Sequence, residues 1–219
     1  MSDTVDLDLS PSSRFLGIHT DQHLNWKTHV EFTINKIQSH KWALGNLVKV
    51  ASKNVALIFY HANIVSHLRY GLILWGGSPH AERLFVEQKK IIRILFNLPF
   101  NHTCKETFKN NDLLTLPSLF IFESLKYSIF NNIIKQEDLF PSHCHSTRHT
   151  SVTPQVFTYS VSKLNIKNAS IKLFNALPLN LRIILKAGDI GVFLKELKVF
   201  VIVQQNAFYR VDEFLLKKW

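Results

Sequence analysis

The chain has 219 residues, 46% hydrophobic and 19% charged, with only seven glycines and seven prolines. That balance suits a globular protein with a buried core, and it excludes a disordered chain, a collagen-like one and a turn-rich all-β fold. The formal net charge of +10 is uneven, being −3 over residues 1–25, +7 over 26–99, zero over 100–150 and +6 over 151–219.

Residues 1–13, MSDTVDLDLSPSS, form an acidic tail with no apolar stretch, so no signal or transit peptide is expected. Phe15-Leu16-Gly17-Ile18 reads as one short apolar strand. A glycine inside a strand marks a place where another backbone or a ligand comes close. Trp26, Val30, Ile34, Ile37, Leu44, Leu47 and Val48 recur at three and four residues, which predicts a helix over Leu24–Val50 with Asn25 as its cap. Ser52 is placed to cap a second helix. Its apolar residues, among them Val55, Leu57, Ile58, Ile64 and Leu68, sit on most sides, as expected at the centre of a bundle. Gly76-Gly77 and Pro79 end it, and Ser78-Pro79 starts a third helix. There Leu84, Phe85, Ile91, Ile92, Leu95 and Phe96 share one side. Arg83, Lys89, Lys90 and Arg93 fall within about 120° of one another on the opposite side.

Residues 14–99 are therefore expected to hold the strand and a three-helix bundle. Residues 100–219 are expected to be a second, less regular helical region. Its elements are a short helix near Lys105–Asn110, a long apolar helix from Pro117 to about Lys135, and a loop over 137–154. Two further helices follow, in NASIKLFNALPLNLR and DIGVFLKELKVFVIV, with Pro178 breaking between them. The fold class is mainly α.

Two basic blocks around a neutral one point to a polyanionic partner, while the alternative is that the charge serves solubility alone. Cys104 and Cys144 cannot make a disulfide framework, so a reducing intracellular setting, nucleus or cytoplasm, is expected. No apolar run approaches the roughly 20 residues of a membrane helix. His143, Cys144, His145 and His149 are too close in sequence to converge on one ion, so no metal or other cofactor is expected. The adjacent acidic pairs, Glu137-Asp138 and Asp212-Glu213, lie in no strand–turn–strand pattern, and neither cysteine has a nucleophile context. No catalytic residue is assigned.

Several stretches, taken in order, resemble the end of the palm, the thumb and the C-terminal region of reverse transcriptases of LINE-type, non-LTR retrotransposons of the jockey-like lineages. RFLGIHTDQHLNWKTHV resembles the family's FLG-I strand followed by D-x-x-L-x-W-x-x-H-I. HLRYGLILWGG resembles its Y-G-x-x-x-W-G, and LFVEQKKIIRIL its L-x-x-x-Q-K-K-A-I-R-I. LLTLPSLFIFESLKYSIFNN follows its leucine-rich helix, HSTRHT its Y-N-T-R loop, and SIKLFNALPLNLR its G-x-K-L-W-N-x-L-P. The match runs from about Arg14 to about Leu197.

The resemblance implies that Phe15, Leu16 and Gly17 correspond to the primer-grip strand. It implies that Arg83, Lys89, Lys90 and Arg93, with Lys27, Lys36 and Lys41, form the thumb surface that tracks a template–primer duplex. Arg148, in the T-R loop, would contact nucleic acid or cap a helix. The implied partner is an RNA–DNA or DNA duplex, held without sequence preference. The family's fingers and palm carry an aromatic-x-Asp-Asp turn and two magnesium ions. That cluster is absent from these residues, so this chain by itself is expected to be inactive and the polymerase to lie upstream. The rival expectation is a helical protein-interaction or structural module with no nucleic-acid role.

Overall fold

The computed structural model describes residues 12–134, 166–205 and 210–216, which are mainly α-helical. Strands β1 (Ser12–Phe15) and β2 (Ile18–Asp21) pair antiparallel, with Arg14 opposite His19 and Phe15 opposite Ile18. Leu16 and Gly17 between them have φ of 46° and 80°. Two successive positive φ values make the type I′ turn that suits the twist of a hairpin. The expected single strand Phe15–Ile18 is therefore a hairpin tip, and β1 begins inside the stretch read as acidic tail. Gly17 supplies the left-handed corner instead of a close approach. Leu16 is an unfavourable residue for its own corner, and the Tyr70 hydroxyl, donating to the Leu16 carbonyl, helps to hold it there.

Helix α1 (Lys27–Val50) buries His29, Val30, Thr33, Ile37 and Leu44. The expected cap at Asn25 is corrected. The Asn25 amide donates to Asp21 Oδ1 at 2.6 Å, and buried Trp26, at φ 64°, stands at the N-cap position without a capping side chain. Then α2 (Lys53–Phe59), a π-helical turn (Tyr60–Val65) and α3 (Ser66–Arg69) run on as one rod. Ser52 holds the N-cap position, but its hydroxyl makes no capping bond.

The rod buries Ala56, Tyr60, Ile64 and Leu68, at strict four-residue intervals. On a helix of 3.6 residues per turn such a stripe drifts by about 40° at each step. A π turn, closed over five residues instead of four, takes up that drift. The outcome is one inward stripe, with Val55 47% and Ile58 68% exposed. The expectation that this rod is the bundle centre is overturned.

Helix α4 (Leu72–Trp75) follows Gly71, whose φ of 61° favours glycine and where an added side chain would press on the tip of Ile18. Helix α5 (Ala81–Leu95) starts later than Ser78-Pro79 predicts. The Ser78 hydroxyl is buried without a hydrogen-bond partner among the described residues, and its carbonyl serves the helix, accepting from the Ala81 amide at 3.1 Å. Helices α1 and α5 lie side by side in the same direction, meeting at Glu31–Arg83 near one end and Gly45–Ile94 near the other.

Helix α6 (Lys105–Asn110) is as expected. Helix α7 (Leu116–Phe130) begins at Thr115, whose hydroxyl accepts from the Ser118 amide at 3.3 Å. It ends earlier than expected, where Asn132 turns the chain at φ 51°. This helix holds the central place, packing on α3, α4, α5, α8 (Ile166–Asn175), α10 (Ile190–Gln204) and α11 (Val211–Leu216). Buried Leu119, Phe120, Ile121, Leu125 and Ile129 give it apolar surface on several sides. Ser118, Ser124 and Ser128, fully buried, keep it slim where neighbours approach. Helix α9 (Leu179–Lys186) packs on α10.

Among the described residues one core takes in side chains from Trp26 to Phe214, on both sides of residue 99. Two glutamines close it around the segment that leads into α7. Gln88 donates to the Tyr60 hydroxyl and the Leu114 carbonyl, both at 3.0 Å, and accepts from the Leu116 amide at 2.8 Å. Gln205 accepts from the Thr115 amide at 3.1 Å and donates to the Leu113 carbonyl at 3.0 Å. Among the described residues, no helix is long and apolar enough to cross a membrane.

Candidate nucleic-acid interface

The packing of α1 on α5 brings together most of the cations that the sequence singles out, but it brings carboxylates with them. Arg83 Nη1 lies 3.0 Å from Glu31 Oε1. Glu87 sits between two lysines, with Lys41 Nζ at 3.2 Å from one oxygen and Lys90 Nζ at 2.6 Å from the other. Burial pushes the Glu87 carboxyl up, yet the Lys90 and Lys41 ammoniums outweigh it and hold the group below its ordinary range. The Arg83 hydrogen bond likewise holds Glu31 low.

The other two α5 cations also face this protein's own groups. Lys89 Nζ lies 4.7 Å from the centre of the Phe85 ring. Arg93 Nε donates to the His102 carbonyl at 3.1 Å, and its guanidinium is 5.9 Å from the Phe100 ring. Lys27, in the first turn of α1, is exposed. The four-cation face of α5 is thus a row of paired groups. The i,i+3 spacing of Glu87 and Lys90 signals one of these pairs in the sequence. Glu31 gives no such signal, since it arrives from another helix.

A second arrangement forms where the hairpin folds over α1 and the end of α3. There a cleft of about 360 Å³ opens. Leu16 and Gly17 form one lip, Thr33 and Lys36 the floor, and Ser66, His67 and Tyr70 the far wall. Two cations stand near the Phe32 ring, with the Arg14 guanidinium 5.7 Å and Lys36 Nζ 5.0 Å from its centre. None of the described residues lining the cleft is acidic. Of the primer-grip-like residues, Leu16 and Gly17 line the cleft, and Phe15 and Leu16 are 71% and 73% exposed. Sequence reasoning missed Arg14, because the side it faces depends on the hairpin register, which a single-strand reading does not contain.

Imidazoles surround the same cleft. His29 is buried, and its pKa falls to about 4 through that burial and the nearby His19. The His19 amide lies 3.4 Å from His29 Nδ1, which can accept from it only while unprotonated. His67 is held below its ordinary value by burial, then by His40 and Lys36.

Arg148 and the His143–His149 tract lie outside the described residues. Among the described residues, no group of three or more His, Cys, Asp or Glu side chains is placed to hold a metal ion. Asp212 and Glu213 fall in the first turn of α11, away from any strand. Cys104 is buried, and its thiol is pushed up by that burial against the pull of Arg93 and Lys89. Comparison with known proteins finds no match among family models, curated proteins or solved structures.

Proposed function

We propose that this chain binds RNA–DNA or DNA duplex without sequence preference, as the thumb and C-terminal part of a LINE-type reverse transcriptase, and performs no catalysis itself. The fingers and palm upstream would supply the metal-binding carboxylates. The observation that carries the binding reading is that Arg14 and Lys36 stand 5.7 and 5.0 Å from the Phe32 ring centre in a cleft with no carboxylate among its described lining residues. Two cations with no carboxylate among the described residues around them in the cleft attract phosphate, and phosphate contact alone suffices for sequence-independent binding. The α5 cations contribute less, since Glu31 and Glu87 already neutralise part of that row.

Duplex affinity measured against salt tests this. Each phosphate neutralised contributes roughly −0.9 to the log–log slope. Arg14→Glu with Lys36→Glu should weaken binding at least tenfold and flatten the slope by about two phosphate contacts. Arg83→Glu with Lys90→Glu should do much less. Equal losses from both pairs would mean that charge acts only in bulk.

A second reading, a helical protein-interaction module, draws on the apolar side chains left outside. Trp42, Val50 and Ile58 are 75%, 86% and 68% exposed. That reading takes over if the chain shows no salt-dependent affinity for duplex.

A further inference from the structure

Where α1 passes α3, the rings of His40 and His67 meet with Nε2 atoms 3.2 Å apart and ring centroids 5.2 Å apart. At that distance one nitrogen must carry a proton and the other accept it, since two N–H groups or two lone pairs repel. The pair is complete with one shared proton between the facing atoms. It opens when both facing nitrogens are protonated. His67 also lines the cleft, so the pair joins the wall of the cleft to α1.

The charges facing His67 are nearly all positive. Lys36 and His40 face it from α1, together with buried His29, and Arg14 faces it from the hairpin across the cleft. On its own segment, Arg69 is paired with Glu123 of α7 at 2.9 Å, and Tyr70 is engaged with Leu16. None of the described residues lining the cleft is anionic, so among them an imidazolium there has no counter-charge and a phosphate would supply one.

We infer that the cleft is a proton-coupled polyanion site: a phosphodiester seated against Arg14 and Lys36 draws a proton onto His67, so the contact tightens as the medium becomes acidic. The proton comes from solvent, and the imidazolium N–H then donates to the phosphate. This rests on the nucleic-acid reading above and adds its regulation. The sign follows from linkage. With the cleft empty, His67 binds its proton only below its ordinary pKa of 6.5. A bound phosphate raises that threshold, so binding takes up a proton in the window between the two. Affinity there rises with acidity by at most tenfold per pH unit for one proton. Above the window it is flat.

The test uses the full chain and a short rhodamine-labelled RNA–DNA duplex, whose phosphodiesters and paired bases do not titrate near neutrality. Anisotropy at fixed ionic strength should show affinity rising about three- to tenfold between about pH 7.5 and about pH 5.5. His67→Gln keeps a hydrogen-bonding side chain that cannot take a proton, and its affinity should be flat over that range. A flat profile in the unaltered chain overturns the inference, as does an equal rise in His67→Gln. Should the variant fold poorly, the Hε1 resonance of His67 in the unaltered chain serves instead. Its titration midpoint should move up when duplex is added, and an unmoved midpoint overturns the inference. Two failures stay distinct. If Arg14→Glu with Lys36→Glu leaves binding intact, the cleft is not the binding site and both ideas fall. If that pair abolishes binding while the acid response survives His67→Gln, only the proton coupling falls.

Discussion

His29 shows how one side chain ties the fold to acidity. It is 3% exposed, its ring centroid is 5.6 Å from that of Trp75, and its Nδ1 faces the His19 amide. Burial and then His19 hold its pKa down to about 4, while the unfolded chain has an ordinary imidazole near 6.5. A lowered folded pKa means that the unfolded state binds more protons in that interval. The stability His29 brings is therefore complete above about pH 6.5 and is lost as pH falls towards about 4. Urea titrations should show a loss of about 1–3 kcal/mol across that range, discounted for solvent screening. His29→Gln should remove most of this slope, and a slope unchanged in the variant would place the acid sensitivity elsewhere. The sequence shows this histidine only as the neighbour of Val30 in the helix stripe. It does not show that its partners come from a hairpin and from the corner at Trp75.

At the scale of elements, that corner joins the hairpin, α1 and α4. Trp75 is fully buried, its Nε1 donates to the Tyr70 carbonyl at 3.0 Å, and it lies against Gly71. Trp75→Ala empties the space where these elements meet and should cost about 3–5 kcal/mol in chemical denaturation. A loss well below that would mean the corner closes up by itself. The positions of α5, α6 and α7 could be read from three- and four-residue spacing, because that spacing is a local property of the chain. The hairpin escaped because Phe15, Leu16 and Ile18 look like one apolar strand until the backbone at Leu16-Gly17 turns left-handed. The edge position of the α2–α3 rod escaped for a related reason. Its apolar residues surround an ideal helix, and only the π turn gathers four of them into one stripe. The α5 charge row could be read as a row, but its neutralisation by Glu31 could not, being set by packing between helices.

At the scale of the whole molecule, the described residues share one core, and α7 is its hub. A fragment of residues 20–99 would leave Gln88 without its Leu114 and Leu116 partners and would expose the faces of α3, α4 and α5 that α7 covers. Buried polar groups left unpaired cost about 1–3 kcal/mol each. That fragment should lack a cooperative thermal transition by circular dichroism, whereas the full chain should show one. A sharp transition in the fragment would show that the first helices close over themselves. The same wiring sets a timetable during synthesis. The Thr115 amide and Leu113 carbonyl are ready long before Gln205, which the ribosome adds 90 residues after Thr115. At about 5–20 residues per second, that gap lasts roughly 5–20 s. For that interval the stem of α7 carries two backbone groups whose partner does not yet exist, so the nascent chain must wait open, exposed to chaperone and protease alike, before its centre can close.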